Sequence, residues 1–257
     1  LTLLPVVDEG GGLLGVVHQA DLLAALKREL RPARVGGMAT VAGVHLTTGH
    51  LRAGPNDLAL VLTGMLFSAV AWIVLMGFSA LSAFPAFSLP LLAWSQLLFV
   101  LVFLLFLRLS PLAGHHAAEH QTVHAIERGE ALTLEAVKRQ PREHPRCGTN
   151  LMAILLGLSA LLPWSGQPLI FFPGLLFLLF TWRPMGMWLQ HVFTTKPATD
   201  DQLVKALMTG RQLLERYQSQ PSFRAPVWTR IWMMGIIQIT LGAAFMEALI
   251  RLCGRIL

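Results

Sequence analysis

LALVLTGMLFSAVAWIVLMGFSAL, residues 58–81, runs without a charged side chain for longer than the roughly 20 helical residues that cross a bilayer core. A helix satisfies its own backbone where lipid cannot, so the stretch reads as a transmembrane helix. A second uncharged run continues through Leu107, and a third extends from Asn150 to Trp182. The first two divide at the Pro85–Pro90 turn, the third at Pro163-Trp164-Ser165-Gly166. This predicts four hydrophobic helices, at 58–81, 86–109, 150–164 and 167–182. The last two are short, and read either as short spans or as a re-entrant hairpin. A fifth apolar stretch, Ile231–Met246, lies within a C-terminal helix at 226–257 that either spans the membrane or lies at its interface. With 54% hydrophobic and 13% charged residues, the composition excludes an ordinary soluble domain. The chain opens LTLLPVVDEGG, without a basic leader or an initiator methionine, and reads as a fragment lacking its true start.

The charge is basic, with a sequence pI near 10.1. Its distribution argues against nucleic acid. Lysine and arginine gather before Leu58, between Pro111 and Gly148, and between Arg183 and Arg230, and no basic run is interleaved with stacking aromatics. This is the positive-inside pattern. It places the turns at 79–90 and 163–168 outside, and the N-terminus and charged inserts in the cytoplasm. Cys147 and Cys253 then fall in or near cytoplasmic segments, where a structural disulfide is not expected.

Three inserts flank the hydrophobic segments. Residues 1–30 read as strand, turn, strand and amphipathic helix, from LLPVV, DEGGG, LLGVV and LLAALKREL. Residues 31–57 are glycine-rich, with a strand or hairpin near Val41–Leu46 and with His45 and His50 expected to be exposed. The insert at 183–230 contains a capping box, Thr199 with Gln202, ahead of an apolar stripe of Leu203, Leu207, Leu214 and Tyr217. Trp188 and Trp228 suit interfacial anchors.

The chemistry concentrates in GHHAAEHQTVHAIERGE, residues 114–130. Ser110-Pro111 makes a helix start and Gly129 a stop. At about 100° per residue, His116, Glu119, His120 and Glu127 share a stripe, while His115 points elsewhere. His116-Ala-Ala-Glu119-His120 is an H-x-x-E-H arrangement, the inverted order of a zinc-hydrolase motif. Two imidazoles one turn apart reach a common ion, and the carboxylate before the second serves as general base. Downstream, PREHPRCGT, residues 141–149, offers His144 and Cys147 in a proline-bracketed loop leading back to the hydrophobic segments. Thr133 is expected to cap a short helix between. The candidate metal ligands are therefore His116, His120, His144 and Cys147, with Glu119 as the catalytic group and a divalent ion, zinc by ligand type, as cofactor.

Two family resemblances rest on these stretches. Pro5-Val6-Val7-Asp8, the glycine turn, Gly15-Val16-Val17 and Asp21-Leu22-Leu23 resemble the second half of a CBS domain. That implies a small α/β fragment in which Asp21 would contact the ribose of an adenine nucleotide. His18 replaces the expected hydroxyl and only half of a paired module is present, so nucleotide binding is not expected here. AEHQTVHAIERGEALTLEAVKRQPREHPRCGTN at 118–150, GGMATVAGVHLT at 36–47 and WLQHVFTTKPATDDQL at 188–203 resemble three ordered blocks of the YqhQ-like bacterial membrane proteins. Gln121 stands where that pattern has lysine, and Val204-Lys205 where it has an acidic residue. The resemblance implies a multi-pass protein of the bacterial inner (cytoplasmic) membrane and a metal-dependent enzyme.

The expected fold is mainly α: a polytopic helical membrane protein with four or five hydrophobic helices and cytoplasmic helical inserts. Its parts are the CBS-like fragment at 1–30, the membrane domain at 31–220 and the C-terminal helix. The expected function is a metal-dependent hydrolase at the cytoplasmic membrane face. The alternative is a non-enzymatic regulator or assembly factor with a structural metal site and a CBS-like regulatory segment. Expected partners are the bilayer and either another membrane protein or a second copy of the chain. A transporter is disfavoured because the four main segments carry no charge short of Arg108 at the end of the second.

Overall fold

The Asn56-Asp57 pair ends the glycine-rich region and starts the first long helix. Asn56 Oδ1 accepts the Ala59 N–H at 3.2 Å, which satisfies one of the donors that a helix start leaves open. The uncharged run then continues as α1, Asp57–Ser82. The computed structural model describes residues 3–22, 30–82, 98–220 and 222–256. It is mainly helical, with two small antiparallel sheets. The Pro85–Pro90 turn, the first part of the expected second segment and most of the LLAALKREL helix lie outside the described residues.

Strands β1 (Leu3–Val7) and β2 (Leu13–His18) pair as a hairpin around the DEGGG turn, and a helical turn begins at Gln19. Strands β3 (Gly36–Thr40), β4 (Gly43–Thr47) and β5 (Arg52–Ala53) form a second sheet, with Met38 opposite His45. Beyond α1 come α2 (Leu98–Leu109), α3 (Leu112–Glu127), α4 (Leu134–Lys138), α5 (Gly148–Leu161) and α6 (Pro168–Leu189). After these stand α7 (Asp200–Ser219), α8 (Val227–Met233) and α9 (Ile236–Ile256).

Among the described residues, three helices are long and apolar enough to cross a membrane: Asp57–Leu81, Pro168–Thr194 and Ile236–Gly254. A fourth is reached if α2 and α3, bent by 74°, count as one broken span. The polar partners around α3 favour another description: α3 turns off the hydrophobic helix and enters the protein's own core. α5 is a shorter apolar helix that packs against α6. Leu169, Phe172, Phe177 and Phe180 of α6 and Ile73 and Leu75 of α1 stand exposed, a surface that a lipid-facing helix presents.

α9 packs along α1, crossing where Gly64 faces the Ile239 carbonyl and Gly242 faces the Val61 carbonyl. A Cβ on Gly242 would fall 1.9 Å from the Val61 oxygen, so the backbones meet at a distance that only glycine allows. Asp57 ties the ends together: it pairs with Arg52 and accepts from Gln238 Nε2 and Trp232 Nε1. The C-terminal stretch is thus integral to the fold, and Gly235 (φ +79°) breaks the single helix expected at 226–257 into α8 and α9.

The polar half is built around α3. Sheet β3-β4-β5, α4 and α7 pack against it, burying Val44, Leu46, Val123, Ile126, Val137, Leu203 and Leu213 in one core. Leu203, Leu207 and Leu214 of the expected stripe are buried there, and Thr199–Gln202 forms both bonds of the capping box. Thr133 caps α4 by accepting from Ala136 N.

Three expectations change. His45 is fully buried in β4, its Nε2 bonded to the Met233 carbonyl at 2.9 Å, because the C-terminal helices cover that strand. Ser110 does not cap α3: its hydroxyl donates to Leu107 O and Pro111 holds the N-cap position. The insert expected from Arg183 starts later, because α6 continues through Arg183-Pro184 to Leu189 and then one π-helical turn to Thr194.

Replacing Gly242 by alanine should lower the melting temperature, by overpacking worth about 1–3 kcal/mol. Gly77→Ala in α1, where a Cβ meets open space, should leave it unchanged or raise it slightly. Equal effects of the two changes in a thermal denaturation series would contradict the α1–α9 crossing.

Candidate metal centre

The buried surroundings of α3 decide how its polar groups are used, because a buried polar group needs a partner. His116 Nδ1 lies 2.9 Å from the Thr194 carbonyl, and His120 Nδ1 lies 2.5 Å from the Arg142 carbonyl. A carbonyl oxygen only accepts, so each neutral ring carries its proton on Nδ1 and turns a bare Nε2 inward. His116 Nε2 is 3.2 Å from Cys147 Sγ, the two rings are 4.3 Å apart, and one ligand atom each from His116, His120 and Cys147 falls within 4.8 Å of the others. Glu119 Oε2 stands 4.0 Å from His116 Nε2 and 3.8 Å from His120 Nε2.

Sequence elements far apart supply the supports. Thr194 belongs to the π-helical turn after α6, which Arg108 fastens by bonding the Thr195 carbonyl. Arg142 belongs to the loop before Cys147, and Gln190 holds that loop. Gln190 is fully buried; it accepts from His144 N at 2.7 Å and donates to His144 O at 3.2 Å and to Asn150 Oδ1 at 2.9 Å. Asn150 in turn donates to the Pro145 carbonyl at 2.9 Å. Gln121, in the position where the family pattern has lysine, donates to the carbonyls of Lys138 and Gln140 and so anchors the same loop from α3. Cys147 is the N-cap of α5, its sulfur accepting from Thr149 N.

His144 is brought close but turned aside. Its ring lies 5.5 Å from that of His120 and 4.6 Å from that of His124. Its Nδ1 accepts from Arg146 N, which leaves the Nε2 proton facing Glu127 Oε2 at 3.8 Å. Glu127 is held by Val35 N and Arg146. Of the expected ligands, then, His116, His120 and Cys147 converge while His144 pairs toward Glu127. His115, as expected, faces away from the cluster; its Nδ1 is buried without a partner. Asp21 lies exposed on the helical turn after β2, well removed in sequence and packing from this centre.

Burial sets the protonation states. Desolvation pushes the Glu119 carboxyl up to about 8, countered in part by His116 and reinforced by Cys147. It holds His120 well below its ordinary value, with His116 adding to the effect, and lowers His144 to about 4, with His124 and Arg146 adding. Burial likewise raises the Cys147 thiol. His120 is therefore held neutral at pH 7, with its Nε2 lone pair free to act as a ligand.

Sequence reasoning missed Gln190, Thr194 and Gly37. A Cβ at Gly37 would fall 2.4 Å from Glu119 Oε1, so β3 closes over the carboxylate only because that position is glycine. All three sit inside the blocks that carry the family resemblance, which was the available signal.

Residues 57–179 match the model of a family described as a protein of unknown function, DUF1385. The chain is similar to the uncharacterized protein YqhQ of Bacillus subtilis (strain 168), at 29% identity over 153 residues. These matches support a YqhQ-like family. The alignment covers 46% of this chain and 46% of the relative, so the chain spans under half the length of the curated protein it matches. No solved structure matches.

In metal-free protein, folded Glu119 keeps its proton up to about pH 8, whereas an unfolded chain releases it near 4.5. The folded state binds the extra proton in that window, so its stability falls as pH rises through it. Glu119→Gln, which has no such proton to lose, should gain in melting temperature over the wild type as chelated samples go from about pH 5 to 8. A difference independent of pH would contradict the buried carboxyl.

Proposed function

We propose that this chain is a membrane-embedded, metal-dependent hydrolase, with its centre at the cytoplasmic edge of the hydrophobic helices. The observation that carries the reading is the convergence of two inward-turned imidazole lone pairs and one thiol beside a buried carboxyl. The donor set is a fit for zinc, which takes histidine nitrogen and cysteine sulfur, and three protein ligands leave a coordination position open, as catalytic sites do. A divalent ion held there would supply Lewis acidity and make water a nucleophile near neutral pH.

The chain's own residues do the rest. His116, His120 and Cys147 would hold the ion; the Thr194 and Arg142 carbonyls fix the ring tautomers and orientations, a support that strengthens imidazole ligands. Glu119, with Oε2 4.0 and 3.8 Å from the two Nε2 atoms, would stand within reach of a water held between both histidines. A cation nearby favours its ionised form against the burial that otherwise keeps it protonated, which makes it able to accept a proton and return it to a leaving group. Gly37 and β3 cover the carboxyl and limit its exchange with bulk solvent. The regulator reading needs a closed fourth ligand, and His144, the nearest imidazole outside the triad, is committed toward Glu127.

The test combines metal analysis with hydrolysis of a panel of ester, phosphoester and amide substrates by detergent-purified protein. His120→Ala and Cys147→Ala should each lose the metal, and Glu119→Gln should retain it while losing hydrolysis by about 100-fold or more. His144→Ala should keep the metal. A Glu119→Gln variant as active as the wild type would remove the proposed base, and a wild type that takes up no divalent ion would remove the proposal itself.

A further inference from the structure

A second polar pocket lies away from the metal centre, where loop 32–34, the β4–β5 turn and the end of α7 meet the segment leading to α8. Its volume is about 230 Å³, below the range of about 300–1,000 Å³ typical of drug-sized ligand sites, so it suits a single compact group. Arg34 and Arg224 line it with His50, Thr48 and Tyr217, and no aspartate or glutamate does. Tyr217 is the one tyrosine in the chain. His50 Nδ1 accepts from Ala225 N at 3.0 Å, so the neutral ring carries its proton on Nε2 and offers a donor. The Thr48 oxygen already accepts from His50 N and Leu51 N, which leaves its hydroxyl proton as the group to donate. Partial desolvation first, then the charges of Arg230 and Arg224, hold His50 below its ordinary value, a sign of a positive field around the pocket.

The chain beyond the pocket indicates the source of its ligand. It runs from Phe223 and Arg224 into α8, where Trp228 is 80% exposed and Trp232 41% exposed on either side of Arg230. Aromatic and basic side chains alternate in this way on helices that lie at lipid headgroups, and α9, one of the three long apolar helices, begins just beyond.

We propose that this pocket binds a phosphate group, that of an anionic phospholipid, with Arg34 and Arg224 as charge-assisted donors and His50 and Tyr217 completing the contacts. Arginine presents a planar fork matched to phosphate oxygens, and an apolar tail fits the neighbouring tryptophan surface. This goes beyond the metal centre and does not depend on it.

The experiment measures melting temperature of the full chain in neutral detergent while titrating short-chain phosphatidylglycerol, inorganic phosphate or short-chain phosphatidylcholine. Phosphatidylglycerol should raise it saturably. Arg34→Ala with Arg224→Ala should weaken the apparent affinity at least about tenfold, and Tyr217→Phe, which keeps the ring packing, should weaken it less. Arg251→Ala, exposed on α9 away from the pocket, should change nothing. Saturation by inorganic phosphate as well, with the same dependence on arginine, keeps the phosphate site and moves its source from lipid to free anion. An equal response to phosphatidylcholine, or a phosphatidylglycerol response untouched in both the double variant and Tyr217→Phe, would overturn the proposal.

Discussion

A neutral imidazole that gives its one proton to a main-chain carbonyl has its remaining lone pair turned the opposite way. At His116 and His120 that proton goes to Thr194 and Arg142, and both lone pairs consequently aim at the space beside Cys147. Supports from distant parts of the chain hold those two carbonyls in place. Gln190 clamps both main-chain groups of His144 and so sets the loop that carries Arg142 and Cys147. The π-helical turn after α6 carries Thr194 across to α3. Small departures in either support would rotate a ring and separate atoms that lie within 4.8 Å of one another.

The same burial that orients the rings makes the carboxyl unusual. Glu119 is covered by β3 at Gly37 and sits between two histidines rather than on a basic residue, so nothing in its surroundings offsets desolvation fully. Its neighbour Glu127, about two turns on, is instead held by Arg146 and a backbone N–H and draws His144 away from the triad. Two carboxylates on one stripe of α3 thereby take different tasks, and the difference comes from what packs on them, not from the helix.

Periodicity could read what lies along one element. The stripe of His116, Glu119, His120 and Glu127, the stop at Gly129 and the capping box at Thr199 follow from local spacing, and the helix carries them as expected. The hydrophobic segments were legible because absence of charge over a long run is a strong signal, though a single Arg183 was enough to make α6 look shorter than it is. Contact across elements lay beyond the reach of spacing. The burial of His45 depends on a C-terminal helix nearly two hundred residues away, and the turning of His144 depends on Glu127 and Arg146 together. Gln190 and Thr194 act through their partners' backbone, a role that their own side-chain chemistry does not advertise.

The central claim is that His116, His120 and Cys147 form one coordination sphere. X-ray absorption at the zinc edge of the reconstituted protein tests it most directly. The expected shell has one sulfur at about 2.3 Å, two imidazole nitrogens at about 2.0–2.1 Å and one further light atom. In Cys147→Ala reconstituted with zinc, any residual signal should show no sulfur. A shell without sulfur in the wild type, or one with three imidazoles, would contradict the claim.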